Sequence, residues 1–160
     1  MKFSTAASAV AAGVIVAFSH AASAQMAYGA PISLDQARTV MAAAEAEARK
    51  NNWPVAIAIV DSGGYLVAFQ RLDNTQFSSA QVAQDKAWSA VGYRRPTKAF
   101  QDGVAAGGAG VRLLNLRGAS LLDGGLPIVS GGRIIGGIGV SGVTGEQDAQ
   151  IAKAGTDTIK

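Results

Sequence analysis

The chain has 160 residues, with 14 basic and 11 acidic side chains, one histidine and no cysteine. Lacking cysteine, it has no disulfide framework, no thiolate metal site and no cysteine nucleophile, so its core alone must hold the fold. The net charge of +3 is mild and scattered. Arg94-Arg95 is the only adjacent arginine pair, and no basic stripe interleaved with aromatics marks a nucleic-acid surface.

The first residues read as an export signal. Lys2 precedes an apolar stretch over residues 6–18, and Ala22-Ser23-Ala24 forms a small-x-small cleavage site before Gln25. The stretch is short for a bilayer span and no stop-transfer pattern follows, so a retained membrane anchor is disfavoured. Cleavage removes Lys2 and the only histidine, His20, and zinc chemistry is then nearly excluded. Residues 25–32 read as a flexible lead-in and residues 33–160 as one domain, located in the periplasm or secreted.

Ser33 and Gln36 form a capping-box pattern that starts a helix. Leu34, Ala37, Met41, Ala44 and Ala48 recur on one face, with Glu45 and Arg49 paired on the other. Pro54 ends that helix and opens a strand over residues 55–60, apolar on both faces and therefore central in its sheet. The turn Asp61-Ser62-Gly63-Gly64 returns the chain as a second strand over residues 65–71, ending at Arg71. Residues 72–76 are loop.

Ser78 or Ser79 caps a second helix running to about Tyr93, with Val82, Ala83, Ala87, Ala90 and Val91 on its apolar arc. Lys86 lies inside that arc, which requires its stem to pack and its head to find a partner. A structural ion pair with a loop aspartate, an ammonium reaching solvent, and contact with a ligand all remain open. Pro96-Thr97 begins a short helical turn, and residues 103–110 are an unassigned glycine and alanine loop.

A second hairpin pairs residues 126–129 with 133–141 through Ser130-Gly131-Gly132. Alternation places Ile134, Gly136, Ile138 and Val140 on one face and bares Gly137 and Gly139 on the other, between Ile135 and Ser141. Something must approach that bare backbone closely, a packed helix ahead of a flat ligand. Gly137-Ile138-Gly139-Val140-Ser141-Gly142 satisfies G-x-G-x-x-G, yet too few residues follow for the returning parallel strand and its ribose-binding acid. The dinucleotide reading is therefore rejected. A last helix begins near Gly145, and Glu146 and Asp148 suit the dipole at its start.

The stretches AIAIVDSGGYLVAFQRLD (residues 56–73), Asp85-Lys86-Ala87, Arg95-Pro96-Thr97, GGLPI (124–128) and IGGIGVSG (135–142), trailed by Glu146 and Asp148, together resemble the GlcG/HbpS family of haem-binding proteins, also seen as the C-terminal domain of some cobalamin adenosyltransferases. The resemblance implies an α/β (α+β) profilin-like fold, an antiparallel sheet of about five strands with helices on its faces, assembled as a homo-oligomer. It also implies haem as cofactor and a role as extracytoplasmic haem carrier, degrader or sensor accessory.

Haem iron is commonly held by His, Met, Cys or Tyr, and beyond residue 24 the chain offers Met26, Met41, Tyr28, Tyr65 and Tyr93. The expectation is therefore weak or oxygen-based ligation, with Thr97 as the oxygen ligand, or a contact in which Lys86, Arg71 or Arg95 pairs with the propionates while apolar side chains cover the ring. The competing role for Thr97 is helix capping after Pro96. Asp61 and Asp73 flank the first hairpin, where turn chemistry explains them equally well. An alternative function is an enzyme or binding protein for a small carboxylate-bearing metabolite, with Lys86 and Arg71 as anion clamp or base and Asp61 or Asp73 moving a proton. A third is a structural partner of a sensor protein, although no exposed apolar stripe is legible in the sequence.

Overall fold

The computed structural model describes residues 25–160, so the export signal read over residues 1–24 lies outside the described residues. Four strands form one antiparallel sheet in the order β2-β1-β4-β3, where β1 is Ala56–Asp61, β2 Leu66–Arg71, β3 Gly125–Ser130 and β4 Arg133–Ser141. Helices α1 (Leu34–Lys50) and α4 (Gly145–Thr156) cover one face, and α2 (Ser79–Gly92) covers the other. The α+β class stands, with four strands in place of the five expected. Tyr28 makes a single parallel bridge to Ile134 and builds no fifth strand.

Local chemistry explains the elements. Ser33 and Gln36 exchange both bonds of a capping box at α1, and Thr144 and Gln147 do the same at α4. Glu45 and Arg49 meet at 2.6 Å. Leu34 is largely exposed, and Val40 takes its place in the apolar row beside Ala37, Met41, Ala44 and Ala48. The glycine and alanine stretch is more ordered than a loop: α3 (Lys98–Ala105) runs into it, and a 3-10 segment, Gly108–Asn115, follows. Within residues 25–32, read as a flexible lead-in, the chain runs beside β4 with Gly29 N–H on Ile134 O and Ile32 N–H on Ile135 O, at 2.8 and 2.7 Å.

The two faces of the sheet differ in bulk. Ile57, Ile59, Ile138 and Val140 fill the side toward α1 and α4, whereas Ala56 and Ala58 face α2. An irregularity where Ile128 pairs with Gly136 but Val129 pairs with Ile134 leaves Ile135 as an extra residue, which flips the phase of β4. Ile134 therefore packs toward α2 and Ile135 toward α1, a correction to simple alternation along this strand.

A helix approaches the bare glycines. A Cβ on Gly139 would sit 2.0 Å from Ala83 O and 2.5 Å from Ala87 N, and one on Gly137 would sit 2.6 Å from Val91 Cγ2. No flat ligand can lie there. Gly139→Ala is expected to cost roughly 3 kcal/mol of unfolding free energy by overpacking, while Gly131→Ala, at a turn with nothing within 4 Å, costs about 1 kcal/mol through backbone strain alone. Chemical denaturation of the two variants checks this, and equal losses would contradict it.

Candidate functional site

Lys86 is buried, with 2% of its side chain exposed, so its ammonium does not reach solvent. Its Nζ donates to Asp148 Oδ2 at 2.8 Å and to Val140 O at 2.7 Å. The partner is an α4 residue, 3% exposed, and not a loop aspartate. Asp148 also accepts the Val143 N–H at 3.3 Å, so it is a partner of Lys86 as well as a favourable charge at the start of α4. Beside the pair lies a recess of about 240 Å³, bordered by Lys86, Asp148, Asp123, Ser141, Gln101 and Gln76 among others.

The other predicted residues do not gather around one guest. Thr97 is fully buried, and its hydroxyl accepts the Gly125 N–H at 2.9 Å while its own N–H donates to Gly125 O at 3.0 Å. It makes no side-chain cap on α3, which corrects the capping expectation: the hydroxyl stitches α3 to β3, and that engagement also argues against an oxygen ligand. Arg95 is exposed, stacks over the Phe100 ring at 5.6 Å and donates to Tyr93 O. Asp61 Oδ1 accepts the Gly63 and Tyr65 N–H groups at 2.8 and 3.0 Å, which is turn chemistry.

Asp73 borders a separate cleft with Arg49, Trp53 and Asn74. Arg71, Ala56 and Ser141 form one cross-strand row, so Arg71 stands on the α2 side of the sheet, two strands and about 10 Å of backbone from Ser141. It is exposed and does not line the recess. The anion clamp of Lys86 with Arg71 is therefore not assembled.

A different concavity escapes the sequence reading. Trp88, on the outward side of α2, is edged by glycines: a Cβ would come within 2.9 Å of the indole at Gly64 and 2.6 Å at Gly118, both of positive φ. The 117–120 loop is tied down by the Tyr93 hydroxyl donating to Arg117 O at 2.6 Å and by Ser120 N–H donating to Ser89 Oγ at 3.0 Å. Two grooves border the ring, and a third adjoins them through Asp85 and Gly118. One of about 570 Å³ is lined by Asp85, Trp88, Arg117 and Gly118, one of about 380 Å³ runs along residues 118–122, and one of about 280 Å³ reaches Tyr65 and Leu66. Trp88 remains 42% exposed, which leaves part of the indole open to a guest. Asp85-Lys86-Ala87 sits in the quoted resemblance, and the residue immediately after it was the signal available.

Burial pushes the Asp148 carboxyl above the ordinary aspartate value of 3.8, against the lowering pull of the Lys86 ammonium and the Val143 N–H. The folded chain thus keeps this proton where the unfolded chain has released it, so the Asp148 contribution to stability falls as pH rises through the interval above 3.8. Glu45 runs the opposite way: its bond from Arg49 lowers its pKa, and that stability is lost as pH falls. A carbon-13 titration of the Asp148 carboxyl should give a midpoint above 3.8, and a midpoint below it would contradict this balance.

A family described as haem degrading protein HbpS-like matches residues 32–157. Protein GlcG of Escherichia coli K12 is 44% identical over 110 residues, covering 69% of this chain and 81% of that protein. Among solved structures, a double mutant of Streptomyces reticuli HbpS superposes with a TM-score of 0.75 at 29% identity, covering 98% of this chain and 99% of that one. A PduOC:haem complex superposes with a TM-score of 0.74 at 30% identity, covering 81% of this chain and 96% of that one. The match begins just before α1 and ends just past α4, taking in the whole sheet, and the chain belongs to the HbpS-like family.

Proposed function

We propose that this chain is an exported haem-binding protein that holds its guest on the face of Trp88. The groove of about 570 Å³ carries the reading, because it sets the open Trp88 ring beside Arg117, an arginine in no ion pair among the described residues. PduOC, a structural relative, has been captured with haem. Bound haem would supply an iron porphyrin capable of redox chemistry.

The residues present fit a porphyrin ring and its carboxylates more readily than they fit a strong axial bond. The described residues include no histidine or cysteine, and Met41 is locked in the α1 core. The Tyr28 hydroxyl donates to Val91 O and the Tyr93 hydroxyl to Arg117 O. Tyr65, 76% exposed and bordering the groove on the Gly64 side of Trp88, makes no hydrogen bond through its hydroxyl. Trp88 would support the ring, Arg117 pair with a propionate, and Tyr65 offer the oxygen. Such an arrangement, open to solvent, suits a carrier that takes up and releases its guest.

The signal pattern over residues 1–24 supports a periplasmic or secreted setting. Exposed Phe69 and Phe77, on and beside the edge strand β2, form an apolar surface invisible to sequence periodicity, and they support a homo-oligomer. A sensor protein as partner has no further support beyond the resemblance.

Haemin titrated into the purified chain should give a shifted, saturable Soret band. Trp88→Ala should weaken binding by on the order of tenfold, and Tyr65→Phe should move the band of the ferric complex. Absence of a saturable band, or undiminished affinity in both Trp88→Ala and Arg117→Gln, would overturn the proposal.

A further inference from the structure

We infer that the recess beside Lys86 and Asp148 binds a small neutral molecule bearing hydroxyl groups, a vicinal diol or a hydroxycarbonyl. It shares Val82 and Leu122 with the groove along residues 118–122 but is lined by neither Trp88 nor Arg117, and it does not rest on the haem reading. Its volume, about 240 Å³, is too small for a porphyrin and suits a guest of a few heavy atoms.

Lys86 and Asp123 are buried and Gln101 half-buried, and the hydrogen-bonding capacity that Asp123 and Gln101 keep is open to the recess and its solvent. Lys86 Nζ has three N–H donors and gives two of them to Asp148 and Val140. Asp123 is 5% exposed, and its Oδ1 accepts the Gly124 N–H at 2.7 Å while Oδ2 has no protein partner. Gln101 spends Oε1 on the Asp123 N–H at 2.9 Å, leaving its amide NH2 free. Ser141 donates its hydroxyl proton to Ser79 Oγ at 3.3 Å and keeps its oxygen lone pairs.

Donors and acceptors thus face one small volume together, and a guest satisfies both only if it carries both, as a hydroxyl does. The lining holds one ammonium and two carboxylates, so a carboxylate guest meets net repulsion. An apolar guest would strand Asp123 and Gln101 without water. A neutral guest thus replaces the anion expected from Lys86 read alone, because Asp148 neutralises the ammonium and Asp123 adds a second negative group.

The test uses the purified chain without haem, with glycerol, glycolaldehyde, glycolate and acetate as probes, followed by nitrogen-15 NMR of the Gln101 side-chain amide and the Gly124 N–H. Glycerol or glycolaldehyde should shift these resonances saturably, and Asp123→Asn and Gln101→Glu should each weaken that response by about tenfold. Both substitutions keep the oxygen that accepts the neighbouring backbone N–H, so the fold is retained. Haemin binding, read by the Soret band, should be unchanged in both. The inference is overturned if no neutral probe gives saturable shifts, if glycolate or acetate binds more tightly than the neutral probes, or if both variants respond as the parent does. Loss of the haemin band with retained glycerol shifts would sink the haem reading and leave this one standing.

Discussion

One buried ion pair fastens the layers of this molecule to each other. Lys86 projects from α2 on one side of the sheet, passes the end of β4 at Val140, and meets Asp148 at the start of α4 on the other side. Taking two charges out of water costs several kcal/mol for each, and the pair recovers that cost only through close geometry and extra hydrogen bonds. Here the Val140 carbonyl and the Val143 N–H supply them. With α2 held in register, Trp88 two residues further on is turned outward to its grooves, while the recess opens on the inner side of the same helix turn.

Small residues make that register possible. Ala56 and Ala58 on β1, Gly137 and Gly139 on β4, and Ala83 and Ala87 on α2 let helix and sheet approach until backbone meets backbone. The opposite face packs isoleucines and valines against α1 and α4. Close packing on one side and bulky packing on the other explain why Lys86 can span from α2 to α4 at all. They also explain why the glycine run of β4 serves packing and not a phosphate.

Much of this was legible in the residues. The Ser33 capping box, both hairpins, the placement of Lys86 on the apolar arc and the helix laid over Gly137 and Gly139 follow from spacing and side-chain chemistry, whereas the matching box at Thr144 does not stand out until α4 is seen. What was not legible depends on events between distant segments. The extra residue at Ile135 arises from pairing with β3 and shifts the face of Ile134, which no local alternation reveals. Thr97 finds its partner 28 residues away at Gly125, so neither a cap nor a ligand described it. Trp88 reads as one more apolar helical residue until the Gly64 and Gly118 turns are seen against its edge. Asp148 is a helix-start acid by sequence and a buried counter-ion by structure.

The most direct measurement is a double-mutant cycle on the pair, with Lys86→Met, Asp148→Leu and both together, read by chemical denaturation. If the ion pair holds the layers, each single substitution leaves a buried charge uncompensated and costs about 3–5 kcal/mol, while the double variant loses far less than the sum. Additive losses, or single losses below about 1 kcal/mol, would show that Lys86 and Asp148 stand side by side without holding the fold together.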